Sequence, residues 1–398
     1  MDPTYTLEQL EPVVARTLAI EDITAGDEKK GYLVRYRGRL RLEDTAAAYD
    51  QLAAALVPYG MTPLFRWDEG RHAVLLVKKA PAPKETNPLI NLVFFIVTLI
   101  SVFFIGVTNS NLAELPGNPL LAVWALLQAG GPYTLALLAI LGAHEFGHYL
   151  VGRAHGVHLT LPFFIPMPIP GSFGTMGAFI NMKEQPKNRR HLLDIGLAGP
   201  IAGVVVAIFV LLFGLSLSPV QPIVAGQQGQ MNLMEGNSIL YLLLKFVVKG
   251  QLLPAPVSFG AVGPVLYWLR YFFTGRPFPL GAMDVQLHPV AWAGWVGLLV
   301  TSLNLIPAGQ LDGGHALYVL IGRKWAARIL PVILVVLVLL GFFWNGWWLW
   351  AVLVFLFGRV HAQPLDEITP LDPPRVLLAV AGIVLFFLVF IPVPLTIF

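Results

Sequence analysis

Apolar and polar residues follow two different rhythms along the chain, and the change comes at about residue 88. Upstream, residues 31–40 alternate with period two and predict a strand, while 44–57 has helical periodicity behind a cap at Asp44 or Thr45. Residues 63–67 and 72–78 predict a hairpin around Asp68-Glu69-Gly70. The β-α-β-β order predicts a small soluble α/β domain over residues 1–80, suited to regulation or docking, or serving only as a solubilising appendage. Residues 81–88, rich in proline, read as a linker. Downstream, apolar runs at 88–107, 132–152, 191–216, 290–308, 326–343, 345–358 and 376–397 predict spans, several near the ~20 residues that cross a bilayer. The run 345–358 is short and opens among Trp344, Trp347, Trp348 and Trp350, an interfacial signature. Stretches 119–129 and 239–248 are too short to span and are expected to lie at an interface or to re-enter. The predicted fold class is a polytopic all-α membrane domain over 89–398, with about six to eight spans and a re-entrant loop or hairpin, preceded by the small soluble α/β domain.

Composition sharpens this division. The chain is 56% hydrophobic and only 12% charged, against about 25% charged for soluble domains. Residues 1–86 carry 25 of the 49 Asp, Glu, Lys and Arg residues. A net charge of +3, with no dense basic run, gives no reason to expect a nucleic-acid partner. With no cysteine, disulfides and thiolate ligands are excluded, so a zinc site has to use histidine and carboxylate. The first apolar segment begins near Pro88, which predicts no N-terminal signal peptide. Basic clusters at Lys78, Lys79 and Lys84, at Arg153, Lys183, Lys187, Arg189 and Arg190, and at Arg323, Lys324 and Arg328 all fall on one side if alternate spans cross. The positive-inside rule then predicts a cytoplasmic N-terminus, in an inner (plasma) membrane.

Chemistry concentrates near the end of the run 134–151, in His144-Glu145-Phe146-Gly147-His148. Positions i and i+4 share a helix face, so both imidazoles can meet one zinc ion, and Glu145, offset by one residue, can reach its water as general base. The bland alternative is a pair of helix-face histidines hydrogen-bonded inside a bundle, but a glutamate within an apolar run is costly unless it has work or a partner. An open catalytic zinc site needs a third protein ligand. Asp312 stands out among the few later acids, within Asn304-Leu-Ile-Pro-Ala-Gly-Gln-Leu-Asp312-Gly-Gly-His315, on the same predicted side as the motif. Pro307 and Gly309 break the helix there, and Gly313-Gly314 are expected to let the backbone turn sharply beside the carboxylate. Irregular backbone at that depth predicts a polar chamber. The alternative role for Asp312 is a simple helix cap.

The HEFGH motif together with Asn304, Pro307, Leu311, Asp312 and Gly313 resembles the site-2 proteases, intramembrane zinc metalloproteases. Gly174-Thr-Met-Gly177-Ala-Phe-Ile is similar to the family's membrane-associated loop or hairpin, and Ala198-Gly199-Pro200 to its helix-packing motif. Leu161-Pro-Phe-Phe-Ile-Pro resembles the bacterial and plastid branch typified by the ethylene-dependent gravitropism-deficient and yellow-green (EGY) proteins. The likeness covers roughly residues 130–325 and shows no PDZ-like insert. It implies one Zn2+ held by His144, His148 and Asp312, Glu145 as catalytic base, and Asn304 stabilising the oxyanion or positioning the substrate. It also implies single-span or other membrane proteins as substrates, cut within or beside their spans in the bilayer. Two alternatives stand beside it: a membrane protease with glutamate as third ligand, as in the prenyl-protein proteases, and a metal transporter, for which internal repeats are lacking. His315 is expected at the interface without a metal role, and His155 and His158 in surface loops. The glycines of 171–177 fit either a strand edge that accepts substrate or close helix packing. Asp194 is expected to pair with Arg189, Arg190 or His191, and Glu235 is assigned no role.

Overall fold

The computed structural model describes residues 7–27, 31–81, 86–110, 112, 114–223, 233–277, 282–358 and 363–397. It opens with α1 (Leu7–Ala15), β1 (Leu18–Asp27), β2 (Tyr32–Leu40), α2 (Thr45–Leu56), β3 (Met61–Asp68) and β4 (Arg71–Lys78). The strands form one antiparallel sheet in the order β1-β2-β4-β3. Alternation along β2 turns Val34 and Tyr36 into a core shared with Leu52 and Leu56 of α2 and Leu10 and Val14 of α1. Asp44 caps α2, accepting from the Ala46 and Ala47 amides at 3.0 and 3.2 Å. At the β3–β4 turn, Glu69 and Gly70 have φ of 51° and 80°, the paired left-handed geometry of a type I′ hairpin. α1 and β1 extend the expected β-α-β-β order. Pro12 lies inside α1, and a register shift between Ile20 and Asp22 interrupts the alternation of β1. Of the expected linker, residues 82–85 lie outside the described residues.

Beyond it come α3 (Pro88–Thr108), α4 (Pro119–Ala154), the hairpin β5 (Phe163–Met167) and β6 (Gly174–Phe179), and α5 (Arg189–Ser216). Among the described residues, α3, α4 and α5 are the helices long and apolar enough to cross a membrane. Their polarity is reversed relative to water-soluble helices. Leu135 and Phe209 are 74% and 68% exposed, whereas Asn91, Thr98 and Ser101 are buried. Residues 119–129 are the first part of α4 and not the separate interfacial stretch expected. Gly130-Gly131-Pro132 resembles a break, yet Gly130 lies so close to α3 that a Cβ would stand 2.8 Å from Val107 and 2.9 Å from the Phe103 carbonyl. Contact between the helices outweighs local propensity there.

The chain continues through β7 (Val220–Pro222), β8 (Leu233–Glu235), α6 (Ile239–Lys249), α7 (Gly263–Thr274) and β9 (Met283–Val285). It closes with α8 (Pro289–Asn304), α9 (Asp312–Leu340), α10 (Gly346–Phe357), α11 (Pro373–Val389) and β10 (Leu395–Ile397). The domain is therefore not all helical: beyond the hairpin, β7 pairs with β9 and β8 with β10. The expected run 376–397 ends as a helix at Val389, and its tail supplies β10. α8 stops at Asn304, and 326–343 is largely the second half of α9, which Gly322 (φ 78°, ψ 168°) divides. Small residues wedge α8 between its neighbours, Gly297 against Ile140 of α4, Gly294 against Leu211 of α5, and Ala291 against Gly214 of α5.

The N-terminal sheet domain is locked to this core. The outer edge of β3 is extended by residues 365–367, with Phe65 N bonded to Leu365 O and Glu367 N to Phe65 O at 3.0 and 3.1 Å. The same segment bonds Pro186 O and Lys187 O just before α5, and Ile368 joins the core of the N-terminal sheet domain. Glu367 accepts from Tyr318 of α9 at 2.8 Å and pairs with Arg66 at 3.6 Å. Buried Asp366 holds the turn together, accepting from the Ile368 and Thr369 amides and from the Thr369 hydroxyl. Asp366→Ala leaves those donors unpaired and is expected to cost about 1–2 kcal/mol. The check is limited proteolysis of the purified chain, which should release the N-terminal domain faster than from wild type.

Candidate metal centre

α4 delivers His144 and His148 one turn apart, both buried, with their Nε2 atoms 3.2 Å from each other. His148 Nδ1 lies 2.7 Å from the Ile195 carbonyl of α5. A carbonyl only accepts, so Nδ1 carries the proton and Nε2 presents its lone pair. Such a bond requires α4 and α5 to come very close, and small residues allow it. A Cβ at Gly199 would stand 2.1 Å from His148 Nε2, one at Gly203 would stand 3.2 Å from His144, and one at Gly147 would stand 2.6 Å from the Ala198 carbonyl. Ala198-Gly199-Pro200 is thus a helix-packing motif because the imidazole occupies the space a side chain would need.

The third donor comes from the turn between α8 and α9. After Asn304 the chain leaves the helix, and Gly309 takes a φ of 57° with Phe357 and Gly358 pressed against it. Gly313 and Gly314 make no turn, contrary to expectation, because both lie in the first turn of α9. A Cβ at Gly313 would stand 1.9 Å from Leu305 O, and one at Gly314 would stand 2.5 Å from Gly309 O. These glycines let the 305–311 segment fold onto the helix start and aim Asp312 at the histidines. Asp312 Oδ2 is 3.3 Å from His144 Nε2 and 3.4 Å from His148 Nε2. Asp312 is the first residue of α9, whose cap is Leu311, so the capping alternative does not describe it.

Among the described residues, His144, His148 and Asp312 are the one group of three or more His, Asp or Glu side chains able to share an ion. The spacing suits zinc: donors at tetrahedral positions about 2.0–2.1 Å from an ion stand about 3.3–3.4 Å apart. All three line a cavity of about 190 Å³ with buried Glu145, Asn304, Phe179 and Leu311. Asn304 Nδ2 lies 3.4 Å from His144 Nε2, beside the donors. His315 is buried in the wall of this cavity. His155 and His158 pair with Asp194 at 3.0 Å and Glu184 at 2.7 Å. Asp194 does not take the partner expected: Arg375 of α11 binds it through Nε and Nη2, at 2.7–3.0 Å. Glu235, given no role by sequence, forms a buried ion pair with Lys245 at 3.1 Å.

Two histidines one helical turn apart, a distant aspartate and an adjacent buried glutamate define a metallopeptidase-type centre in an apolar helical domain. The Peptidase family M50 model matches residues 132–343. The chain is 32% identical to the probable zinc metalloprotease EGY2, chloroplastic, of Arabidopsis thaliana, over 68% of this chain and 43% of that protein. It is 29% identical to the Arabidopsis thaliana probable zinc metalloprotease EGY1, chloroplastic, over 80% of this chain and 56% of the relative. The Oryza sativa subsp. indica EGY3 is 30% identical over 61% of this chain and 39% of the relative. The chain thus spans about half the length of the curated relatives it matches. No solved structure matches it. The chain belongs to peptidase family M50, the site-2 protease family, and is EGY-like within it. Gly199→Ala is expected to displace the His148 ring and weaken zinc binding at least about tenfold. Zinc affinity by chelator competition checks this, with circular dichroism showing the helices intact.

Proposed function

We propose that this chain is an intramembrane zinc metalloprotease that hydrolyses peptide bonds within or next to membrane-spanning segments of other membrane proteins, as in regulated intramembrane proteolysis. What supports it most is the convergence of His144, His148 and Asp312 within 3.4 Å of one another beside buried Glu145, inside a domain whose outer surface is apolar. One zinc ion fits the three donors. When bound, zinc lowers the pKa of a coordinated water to about 7 and polarises a carbonyl oxygen. The remaining work falls to the chain's own groups. Glu145 takes the proton from the attacking water and delivers it to the leaving amine nitrogen. The Asn304 amide, beside His144, donates to the carbonyl oxygen as charge develops on it.

Substrate reaches the cavity as an extended strand. β6 pairs with β5 along one edge, and its end at Ala178 and Phe179 lines the metal cavity, so a peptide laid along its other edge arrives beside the donors. A helical peptide bond is shielded by its own hydrogen bonds, which means the substrate helix has to unwind first. In this reading the chain is a multi-pass membrane protein with about six to eight crossings, counting α3, α4 and α5, the shorter apolar helices α10 and α11, α8 and the second half of α9. The soluble domain and the metal centre then lie toward the cytoplasmic side. The relatives are named chloroplastic, so they lend no support to a plasma membrane in particular.

The test uses the purified full chain and a single-span model substrate. Glu145→Ala is expected to keep one zinc per chain while its hydrolysis rate falls about 10²–10⁴-fold. Asp312→Ala should lose the zinc itself. Hydrolysis by the Glu145→Ala protein at the wild-type rate would overturn the reading. A second outcome concerns the substrate: placing Gly or Pro near the cut should speed cleavage over an all-Leu span, and equal rates would remove the unwinding step.

A further inference from the structure

Resting on the protease reading above, we propose that the cavity at the far end of the β5–β6 hairpin is a recognition subsite for a basic side chain, lysine or arginine, in the substrate's juxtamembrane segment. This cavity encloses about 660 Å³, more than three times the volume at the metal centre. Its walls include Tyr133 of α4, Phe173 at the hairpin tip and Trp292 of α8, together with Glu235 and Asp284. Aromatic faces beside carboxylates are the chemistry that receives a cation.

The charge balance points the same way. Lys245 is fully buried and bridges Glu235 Oε1 at 3.1 Å and Asp284 Oδ1 at 2.9 Å. The Tyr241 hydroxyl also donates to Glu235, and the Val285 amide to Asp284. Two carboxylates therefore share one ammonium, and among the described residues Lys245 is the only basic side chain paired with either. Asp284 is more than nine-tenths buried, and its Oδ2 has no hydrogen-bond partner. A buried carboxylate oxygen left without a partner is costly to hold. A cationic group entering this cavity offsets that cost, whereas an acidic one adds to it.

Position gives the subsite a reach. Tyr133 precedes His144 by eleven residues on one helix, which is about 16 Å along its axis. β6 runs from Gly174, beside the hairpin tip, to Phe179 at the metal cavity. A substrate lying along it places its basic residue about five residues from the scissile bond if extended and about eleven if helical.

The experiment compares single-span substrates that differ only at this position, carrying Lys, Arg, Gln or Glu, in phosphatidylglycerol vesicles with the full chain. The readout is the ratio of kcat/KM for each substrate to that of the Gln substrate, so a general loss of activity cancels. For wild type, Lys and Arg are expected about tenfold above Gln, with Glu below it. Gln286→Lys, at an exposed position on the cavity rim, should bring the Lys ratio to about one. Binding of the same peptides to the zinc-loaded Glu145→Ala chain, by fluorescence anisotropy, reads the preference without turnover. Cleavage with a ratio near one at every position overturns the subsite and leaves the protease reading standing. Absence of cleavage alongside charge-selective binding overturns the protease reading and leaves the subsite. Equal affinities for Lys and Gln peptides overturn the subsite outright, as does a preference that vanishes once phosphatidylethanolamine is added, which gives the cavity to a lipid ammonium.

Discussion

Contact between α5 and the imidazole of His148 governs how the rest of the molecule is arranged. The helices approach until the Ile195 carbonyl accepts a hydrogen bond from His148 Nδ1, and this requires that Gly199 have no side chain. Once that ring is held, its Nε2 faces His144 and leaves room for one carboxylate, which Asp312 fills from a helix start far along the chain. An apolar domain offers little dielectric compensation for such a cluster, so its polar atoms have to satisfy one another or an ion. The small residues at the helix contacts are the structural counterpart of that demand. They bring backbones close enough for carbonyls and imidazoles to bond without water between them.

The second organising feature is the strap formed by residues 365–369. It adds to the β3 edge, bonds the segment before α5, and reaches Tyr318 on the same short helical piece that begins with Asp312. The N-terminal sheet domain is thereby tied to two of the helices that shape the metal centre, α5 through its entry and α9 through its first half. Gly322, with its non-helical backbone, then separates the second half of α9 from this first half. The acid-bearing cavity lies at the other end of α4 and α8, so the two sites share helices but not residues.

Much of the centre was legible in the sequence because its chemistry tolerates few alternatives. Two ring nitrogens on one helix face require i, i+4 spacing, and Asp312 was one of very few acids available in an apolar chain. The strands β2 to β4 and the Asp44 cap were equally readable from period and capping chemistry. What escaped were effects of distant partners. Arg375 lies 181 residues from Asp194, and no local pattern announces their pairing. Gly313 and Gly314 looked like turn residues, since sequence alone does not distinguish a glycine needed for φ from one needed for close approach. Residues 119–129 read as separate from the span at 132–152, because nothing local shows that Gly130 packs against α3 within one long helix. β10 was hidden inside an apolar run whose last residues pair with β8.

The most direct measurement is an experimental structure of the zinc-loaded chain with anomalous diffraction recorded at the zinc edge. The account predicts one anomalous peak, about 2.0–2.1 Å from His144 Nε2, His148 Nε2 and a carboxylate oxygen of Asp312. A peak bound elsewhere, or one held by the histidines with the Asp312 carboxylate beyond bonding reach, would contradict it.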